Sequence, residues 1–399
     1  MKRLTVCLMV WLVAISVVLA LILSTSQFAT AQTAEPIKIG GLFELTGFLA
    51  PIGKEAQQGA LIALEQYGGK LMGRPVEFVL EDSATDVNTS MDKMRKLVEV
   101  DKVRIIVGPI FGGSQDAMGG YADKVRVPVI TLPSGQNSNV LKNQWTFLAA
   151  GTDESNGYPM GIYAVEKLGY KTATTIGSDF SAGHEFIGGF VQGFEARGGK
   201  IIQQQWYPPG TTNMVPFLVA AKKADCLVTW WPGADTFAGF KQYKELNIKM
   251  PIVQPEDGGV TCNPAANKQL GDVIVGVHAT VLYSYLAKTP GNKEFVEAYT
   301  KKHGVPPGPL AGCGYVSMQI ALEALKTVGK DTSQEALRKA IFGLKLNTIH
   351  GPLSFNSWRI ATYTCPVIKI DQNLVPQIVA EYRVNSKVVK GKLVYSLEK

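Results

Sequence analysis

The chain of 399 residues is long enough for two domains of about 150 residues each. With 46% hydrophobic and 18% charged residues and no low-complexity tract, the composition predicts packed cores and excludes an extended disordered chain. The formal net charge of +7 comes from basic residues scattered among acidic ones without a basic face, so nucleic acid is not expected as a partner.

The N-terminus has the pattern of a secretory signal peptide. A basic start, MKR, is followed by the apolar run LTVCLMVWLVAISVVLALIL and then by the small-x-small site ATA. The alternative is an uncleaved membrane anchor, because the apolar run is long enough to span a bilayer. We expect a signal peptide over residues 1–31, cleavage after Ala31, and a mature chain that begins at Gln32 in the periplasm. No later segment is apolar over enough residues to cross a membrane, so a soluble mature protein is expected.

Strand-like and helical patterns alternate along the first part of the mature chain. Strands are predicted at IKIGGLF, VEFVLED, VRIIVGP and VPVITLP, and helices at KEAQQGALIALEQYG, NTSMDKMRKLVEVD and GGSQDAMGGYADKV. Continuous Val/Ile runs separated by helices indicate a parallel sheet that is covered on both faces.

The same alternation starts again after AAGTDESNG. Strands are predicted at KTATTIGSD, KIIQQQWY, DCLVTWW and MPIVQPEDGG, and helices at GHEFIGGFVQGFEARG, MVPFLVAAKKA and DTFAGFKQYKELN. Two successive α/β units predict two similar lobes, with the chain changing lobe near Gly151. A later helical pair, NKEFVEAYTKKHG and CGYVSMQIALEALKTVG, is expected to return to the first lobe.

Ligands of open parallel sheets bind outside the carboxyl ends of the strands. This rule predicts a cleft surrounded by the loops at residues 45–53, 108–114, 132–136, 179–183, 230–235 and 255–259. The first of these loops has some features of a phosphate-binding loop. However, Gly47 and Gly53 enclose five residues instead of four, and Glu55 stands where a hydroxyl is needed to meet magnesium. The loop is therefore expected to shape the cleft without binding phosphate.

The motifs of common enzymes are absent from the sequence. No GxGxxG fingerprint follows a strand, no GxSxG elbow is present, and the histidines are far apart. We therefore expect no catalytic activity, no cofactor and no metal. The tandem acids Glu81-Asp82 and Glu256-Asp257 are expected at solvated strand ends. The loop GPIFGGSQ opens a helix and can offer backbone amides to a carboxylate, and one tryptophan of VTWWPGAD should face the cleft.

Four cysteines remain after cleavage of the signal peptide: Cys226, Cys262, Cys313 and Cys365. Disulfides form readily in exported proteins, and four cysteines allow three complete pairings, which spacing alone does not distinguish. A bridge between Cys262 and Cys313 would tie the second lobe to a helix of the first and resist opening. We expect that pair not to be joined.

Several stretches resemble the periplasmic branched-chain amino-acid binding proteins, the type I solute receptors of ABC importers. The most specific are IVGPIFGGS, VPVITLPS, QPEDGG and PPGPLAGCGYVSMQIALEAL. The resemblance implies an α/β fold of two Rossmann-like lobes joined by a three-crossing hinge. Lobe 1 would comprise residues 32–151 and 281–345, and lobe 2 residues 152–280 and 346–399. It also implies a monomer that binds a small hydrophobic amino acid in the inter-lobe cleft and delivers it to a membrane permease.

The resemblance also implies a set of ligand-binding residues. These are Gly112, Gly113, Ser114, Ser134 and Gln136 for the ligand carboxylate, Glu256 for its ammonium group, Phe180 and Trp231 as aromatic contacts, and Ile52 and Leu310 as apolar walls. The family often has tyrosine at the two aromatic positions, so this chain should have a larger and less polar pocket. Two alternatives therefore remain: an aromatic or aliphatic carboxylic acid without an amine as the ligand, or a ligand-sensing lobe of a signalling system.

Overall fold

The computed structural model describes residue 11 and residues 35–133, 137–331 and 333–398. The predicted cleavage site after Ala31 lies outside these residues, as do Ser134 and Gln136. Within the described part of the chain, no helix combines the length and the apolar character that a membrane span requires.

Lobe 1 is built on a six-stranded sheet in the order β2-β3-β1-β4-β5-β6, and its main strands pair in parallel. The strands are β1 (Ile37–Phe43), β2 (Lys70–Leu71), β3 (Arg74–Asp82), β4 (Ile105–Val107), β5 (Val129–Thr131) and β6 (Thr146–Leu148). The helices are α1 (Ala50–Gln66), α2 (Val87–Arg95, continued by a π-turn at Lys96–Val100), α3 (Gly112–Val125) and α4 (Asn137–Lys142). The predicted parallel sheet of this lobe is confirmed.

Lobe 2 begins with helix α5 (Asp153–Glu166) and contains a second parallel sheet. Its elements are β7 (Thr172–Ser178), α6 (Ser181–Glu195), β8 (Lys200–Tyr207), α7 (Val215–Ala220), β9 (Cys226–Trp230), α8 (Ala234–Glu245), β10 (Ile252–Gln254), α9 (Pro264–Leu270, followed by a 3₁₀ turn at Gly271–Ile274) and β11 (His278–Thr280). These strands pair in parallel in the order β11-β10-β9-β7-β8.

The remaining chain visits both lobes. Helices α10 (Asn292–His303), α11 (Pro309–Val328) and α12 (Gln334–Gly343) return to lobe 1 and precede a small antiparallel sheet of β12 (Lys345–Thr348), β13 (Gly351–Phe355) and β14 (Ala361–Thr362). Strands β15 (Thr364–Ile370), β16 (Pro376–Val389) and β17 (Lys392–Leu397) then extend the lobe 2 sheet by antiparallel pairing beside β11.

The small sheet β12–β14 packs on lobe 1. Leu353, Phe355 and Tyr363 belong to the lobe 1 core, and the Phe355 ring lies 5.4 Å from that of Phe147. The boundary expected at residue 346 would assign this sheet to lobe 2. We instead assign it to lobe 1 and place the third crossing between Tyr363 and Thr364, because the side chains of β12–β14 are buried against lobe 1.

Close packing of α1 against α11 fixes one wall of the cleft. A β-carbon at Gly59 would lie 1.9 Å from the Ala311 carbonyl oxygen, and one at Gly314 would lie 1.9 Å from that of Ala56. Both distances are impossible for a real side-chain atom, so only glycine permits this approach of the two backbones. The approach brings the start of α11, with Leu310, to the carboxyl ends of the lobe 1 strands.

Candidate functional site

A cavity of about 40 Å³ lies between the two lobes. It is lined from lobe 1 by Leu49, Ile52, Ile110, Pro133 and Leu310, from the second crossing by Leu282, and from lobe 2 by Phe180, Phe186, Trp230, Pro232, Glu256, Gly258 and Gly259. The walls are therefore largely apolar and aromatic, with one carboxylate. Among the site residues expected from the sequence, Ile52, Phe180, Glu256 and Leu310 line this cavity.

The loop between β1 and α1 forms part of the lobe 1 wall. Asp82, at the end of β3, accepts hydrogen bonds from the amides of Leu45 (2.9 Å) and Ala84 (2.8 Å) and from the Thr46 hydroxyl (2.7 Å). These bonds hold the loop against the neighbouring strand end, so that α1 begins at Ala50 with its first turn at the cavity.

Glu44 is a buried acid of lobe 1 that sequence reasoning did not identify. Its Oε1 accepts hydrogen bonds from the amides of Ile110 (3.1 Å) and Phe111 (2.8 Å), and its side chain is fully buried. Desolvation raises the pKa of Glu44 to about 7, although the backbone hydrogen bonds act in the opposite direction. The carboxyl group thus joins the end of β1 to the loop that precedes α3.

Three of the five expected carboxylate-binding residues, Gly112, Gly113 and Ser114, lie in the first turn of α3 and are not among the residues that line the cavity. Gly112 begins this helix, and the amides of a helical first turn have no acceptor within the helix. The Ser114 side chain is buried and its hydroxyl lies 2.7 Å from that of Ser90 on α2. Of Ser114, therefore, the backbone amide and not the hydroxyl is available for a ligand. Gly113 is partly buried beside Phe111.

The two adjacent tryptophans at the end of β9 face in opposite directions, as successive strand residues do. Trp230 lines the cavity, where its ring stacks on Phe186 (5.1 Å between centroids) and lies 5.4 Å from the Phe180 ring. Trp231 is fully buried in the lobe 2 core, at 5.4 Å from the Phe240 ring. Trp230, and not Trp231 as the sequence led us to expect, therefore lines the cavity, and an aromatic ligand contact is predicted at Trp230 instead. The prediction that one of the pair faces the cleft is consistent with this arrangement.

Glu256 is the carboxylate of the cavity wall and is 3% exposed. Its Oε2 accepts hydrogen bonds from Trp230 Nε1 (3.0 Å) and from the Gly258 amide (2.9 Å). Its Oε1 receives no hydrogen bond from a donor group among the described residues, and the Glu256 and Asp257 carboxyl groups interact with each other. Burial raises the pKa of Glu256 well above its ordinary value, and the adjacent Asp257 raises it further.

Asp257 is fully buried and organises the turn behind Glu256. It accepts hydrogen bonds from the amides of Gly259 (2.9 Å) and Cys262 (2.8 Å). The expectation that this tandem pair is a solvated strand end is wrong, because the turn supplies backbone donors that replace water. Burial raises the pKa of Asp257 as well.

A third carboxylate approaches this pair from lobe 1. Glu55, on α1, accepts a hydrogen bond from the Ala311 amide at the start of α11 (3.4 Å). Desolvation raises the pKa of Glu55 to about 8, and the charge of Asp257 contributes to the increase. The described residues that line the cavity include no Lys, Arg or His. Glu256 is therefore the only ionisable residue among the described residues of the cavity wall, and Glu55 lies near it without lining the cavity.

The described part of the chain shows no arrangement of three or more His, Cys, Asp or Glu residues suited to a metal ion. Cys226, Cys262, Cys313 and Cys365 are buried free thiols. We still predict that Cys262 and Cys313 do not form a disulfide in the exported protein.

Comparison with known proteins gives consistent matches over most of the chain. The profile of a family described as periplasmic binding protein matches residues 36–371. The Leu/Ile/Val-binding protein homolog 6 of Brucella melitensis is 24% identical over 338 residues, which cover 83% of this chain and 86% of the relative.

Two solved structures show the same fold. An ABC transporter substrate-binding protein from Sphaerobacter thermophilus is 27% identical with a TM-score of 0.81, and the match covers 87% of this chain and 97% of that one. A solute-binding protein of an ABC transporter from R. palustris, in complex with benzoate, is 21% identical with a TM-score of 0.78, covering 87% and 96%.

Proposed function

The chain belongs to the periplasmic binding protein family, and on this basis we propose that it is the substrate-binding receptor of an ABC importer. It captures a small hydrophobic amino acid between its lobes in the periplasm and delivers it to a membrane permease. The similarity to a Leu/Ile/Val-binding protein homolog and to an ABC transporter substrate-binding protein supports this proposal. The signal peptide expected at residues 1–31 supports the location.

The observation that carries the choice of ligand is the Glu256 carboxyl group in the cavity wall, whose Oε1 receives no hydrogen bond from a donor among the described residues and which lies against the Asp257 carboxyl group. Trp230 and the Gly258 amide hold Oε2, so Oε1 is left to accept a hydrogen bond from the ligand. An ammonium group satisfies it best, because a charge-assisted hydrogen bond contributes roughly 1.5–3 kcal/mol and compensates the buried charge. The rings of Phe180 and Phe186 then enclose the apolar side chain.

The ligand carboxylate would bind at the other wall. The amides of Gly112, Gly113 and Ser114 lie at the positive end of the α3 dipole, which favours an anion. Ser134 and Gln136 complete this proposed set on the strength of the family resemblance. A ligand that contacts both walls favours the closed arrangement of the lobes, and hinge closure is the resulting mechanism.

One alternative ligand class has a specific observation in its favour. Because burial raises the pKa of Glu256, a protonated Oε1 could donate a hydrogen bond to a carboxylic acid that lacks an amine. The similar R. palustris protein was crystallised with benzoate. An aromatic or aliphatic carboxylic acid is therefore the second candidate.

Matched ligand pairs in a thermal-shift assay test the proposal. L-Leucine and 4-methylpentanoate differ only in the amine, as do L-phenylalanine and 3-phenylpropanoate, and benzoates complete the panel. At a hundredfold excess over Kd a ligand stabilises the folded state by about 2.7 kcal/mol, which raises Tm by roughly 5 °C. We expect Tm to increase with an amino acid and not with the matched compound that lacks the amine. The reverse pattern would support the second candidate, and no shift from any compound would contradict both.

A further inference from the structure

The C-terminal hairpin of β16 and β17 lies beyond residue 371, where the match to the family profile ends. Its two strands join through Lys390 and Gly391, whose φ angles of 51° and 75° are those of a tight type I′ turn. The first half of β16 pairs with β15 inside the lobe 2 sheet, whereas residues from Val384 onward pair with β17. The hairpin therefore extends past the lobe 2 sheet.

The extended part of the hairpin bonds to lobe 1. Asn356, in the turn after β13, donates a hydrogen bond from Nδ2 to the carbonyl oxygen of the buried Ser386 (2.7 Å). At the base of the hairpin, Arg383 donates from Nη1 to the Pro352 carbonyl oxygen (2.6 Å). Both hydrogen bonds connect β16 of lobe 2 to the small sheet β12–β14 of lobe 1 or to the turn that follows β13.

An apolar contact strengthens this connection. Leu393 on β17 packs against a lobe 1 cluster formed by Val140, Leu148 and Ile360. On the opposite side Leu393 also packs against a lobe 2 cluster that contains Tyr158 and Tyr395. A single side chain thus fills the space between the two lobes.

The hairpin also contacts the first crossing. Thr152, which caps the N-terminus of α5, donates a hydrogen bond from its hydroxyl to the Tyr395 hydroxyl (3.0 Å). The Tyr395 ring lies 6.0 Å from that of Tyr158 on the same helix. The chain enters lobe 2 at this helix, so the contact lies where the lobes rotate against each other.

We propose that the hairpin β16–β17 is a strap across the hinge that stabilises the closed arrangement of the lobes. In this arrangement the lobes touch across the cleft, since a β-carbon at Gly259 would lie 3.2 Å from Leu310 Cδ2 and 3.4 Å from Ile52 Cγ2. In this proposal β16 moves with the lobe 2 sheet, so that a rotation that opens the cleft separates the hairpin from lobe 1. Opening then breaks the contacts of Leu393 and Ser386, so these contacts shift the equilibrium towards closure. The inference concerns the hinge and holds whatever ligand the cleft binds.

Single-molecule energy transfer between dyes on the two lobes tests the strap. The four described cysteines are buried. Lys293→Cys in lobe 1 and Lys241→Cys in lobe 2 therefore introduce selective labelling sites, since both lysine side chains are largely exposed. The ligand-free mature protein is measured first, so that the result does not depend on identification of the ligand.

Leu393→Ala should increase the open fraction about threefold to tenfold, and the affinity for the strongest binder among L-leucine, L-phenylalanine and benzoate should weaken by up to the same factor. Ile360→Ala removes a lobe 1 member of the cluster that Leu393 packs against and should act alike, and the double variant should show less than an additive effect. The control is Val394→Ala on the same strand, whose side chain is exposed. Unchanged open fractions in both contact variants, or an equal effect of Val394→Ala, would overturn the proposal. If Leu393→Ala does not fold, Ile360→Ala decides alone.

Discussion

Replacing Glu256 by glutamine separates the two ligand classes. The substitution keeps the shape of the side chain and removes its charge. In the structure, Oε2 accepts the indole N–H of Trp230 and the amide of Gly258, so the amide oxygen of glutamine takes this position. The NH₂ group then replaces Oε1 in the cavity wall. A hydrogen-bond donor therefore stands where the wild-type protein offers an acceptor.

For an amino acid, this exchange removes a charge-assisted hydrogen bond and places a donor against the ligand ammonium. The loss of roughly 1.5–3 kcal/mol corresponds to a fall in affinity of about one to two orders of magnitude. For an amine-free carboxylic acid, the NH₂ group can donate to the ligand and a repulsive carboxylate is gone. Affinity should then be equal or higher.

Titration calorimetry on the wild type and Glu256→Gln, with the strongest ligand of each matched pair, measures the change. The control is Glu55→Gln, which removes another acid near the cleft that is bonded to Ala311 and does not line the cavity. It should change the affinity much less. Unchanged or tighter binding of an amino acid by Glu256→Gln would refute the role given to Glu256.

The pH dependence provides an independent readout of the same group. An ammonium ligand stabilises the Glu256 carboxylate, so the pKa of Glu256 falls on binding. Affinity should be full above the raised pKa of the free protein and should be lost as the pH falls through and below it. An amine-free acid that binds protonated Glu256 should show the opposite slope. Measured affinities of L-leucine that fall with rising pH in this range would contradict the amino-acid assignment.

Three further predictions concern the scaffold of the site. Desolvation raises the pKa of Glu44 from 4.5 to about 7, so stability should fall by about 3 kcal/mol as the pH rises across this interval; urea unfolding of Glu44→Gln should show that this dependence is lost. Gly314→Ala should lower the free energy of unfolding by at least about 1–3 kcal/mol, because its β-carbon meets the α1 backbone, whereas Gly120→Ala, with no atom within 4 Å, should be neutral or stabilising. Trp230→Phe should weaken amino-acid binding about threefold to tenfold, because it removes the N–H donor to Glu256. Trp231→Phe should lower Tm and leave Kd unchanged. Calorimetry in which Trp231→Phe weakens binding and Trp230→Phe does not would contradict the placement of Trp230 at the cavity.

The alternation of elements was predictable because each lobe repeats a strong local pattern. The strands IKIGGLF and KIIQQQWY and the helix GGSQDAMGGYADKV have the bounds of β1, β8 and α3. Strands β6 and β11, of three residues each, were not predicted, although the equally short β4, β5 and β10 were found within the runs VRIIVGP, VPVITLP and MPIVQPEDGG. The C-terminal strands were also missed. Half of β16 is paired within the hairpin and half with the lobe 2 sheet, so its burial pattern changes along its length.

The candidate site was only partly predictable from the residues. The rule that strand ends surround the cleft indicated loops that do line the cavity, including those of Phe180 and Glu256. A tandem Trp-Trp at a strand end, however, does not reveal which ring faces the core, because the answer depends on where the sheet packs. Glu44 was missed because nothing local distinguishes an acid that backbone amides will satisfy from one at a solvated strand end.

The buried acids whose positions the sequence did not predict bear on the proposed function. Of the buried acids Glu44, Glu55 and Glu256, only Glu256 lines the cavity, and burial raises the pKa of each. A protein that binds a simple anion would place donors or cations in such a wall, since each buried carboxylate opposes the negative charge of the ligand. A zwitterion meets this wall differently, because its ammonium compensates Glu256 while the amides of the α3 N-terminus remain for its carboxylate. The ionised form of Glu256 in the cavity wall is therefore the structural reason for proposing an amino acid before an amine-free acid, and the Glu256→Gln titration tests that choice.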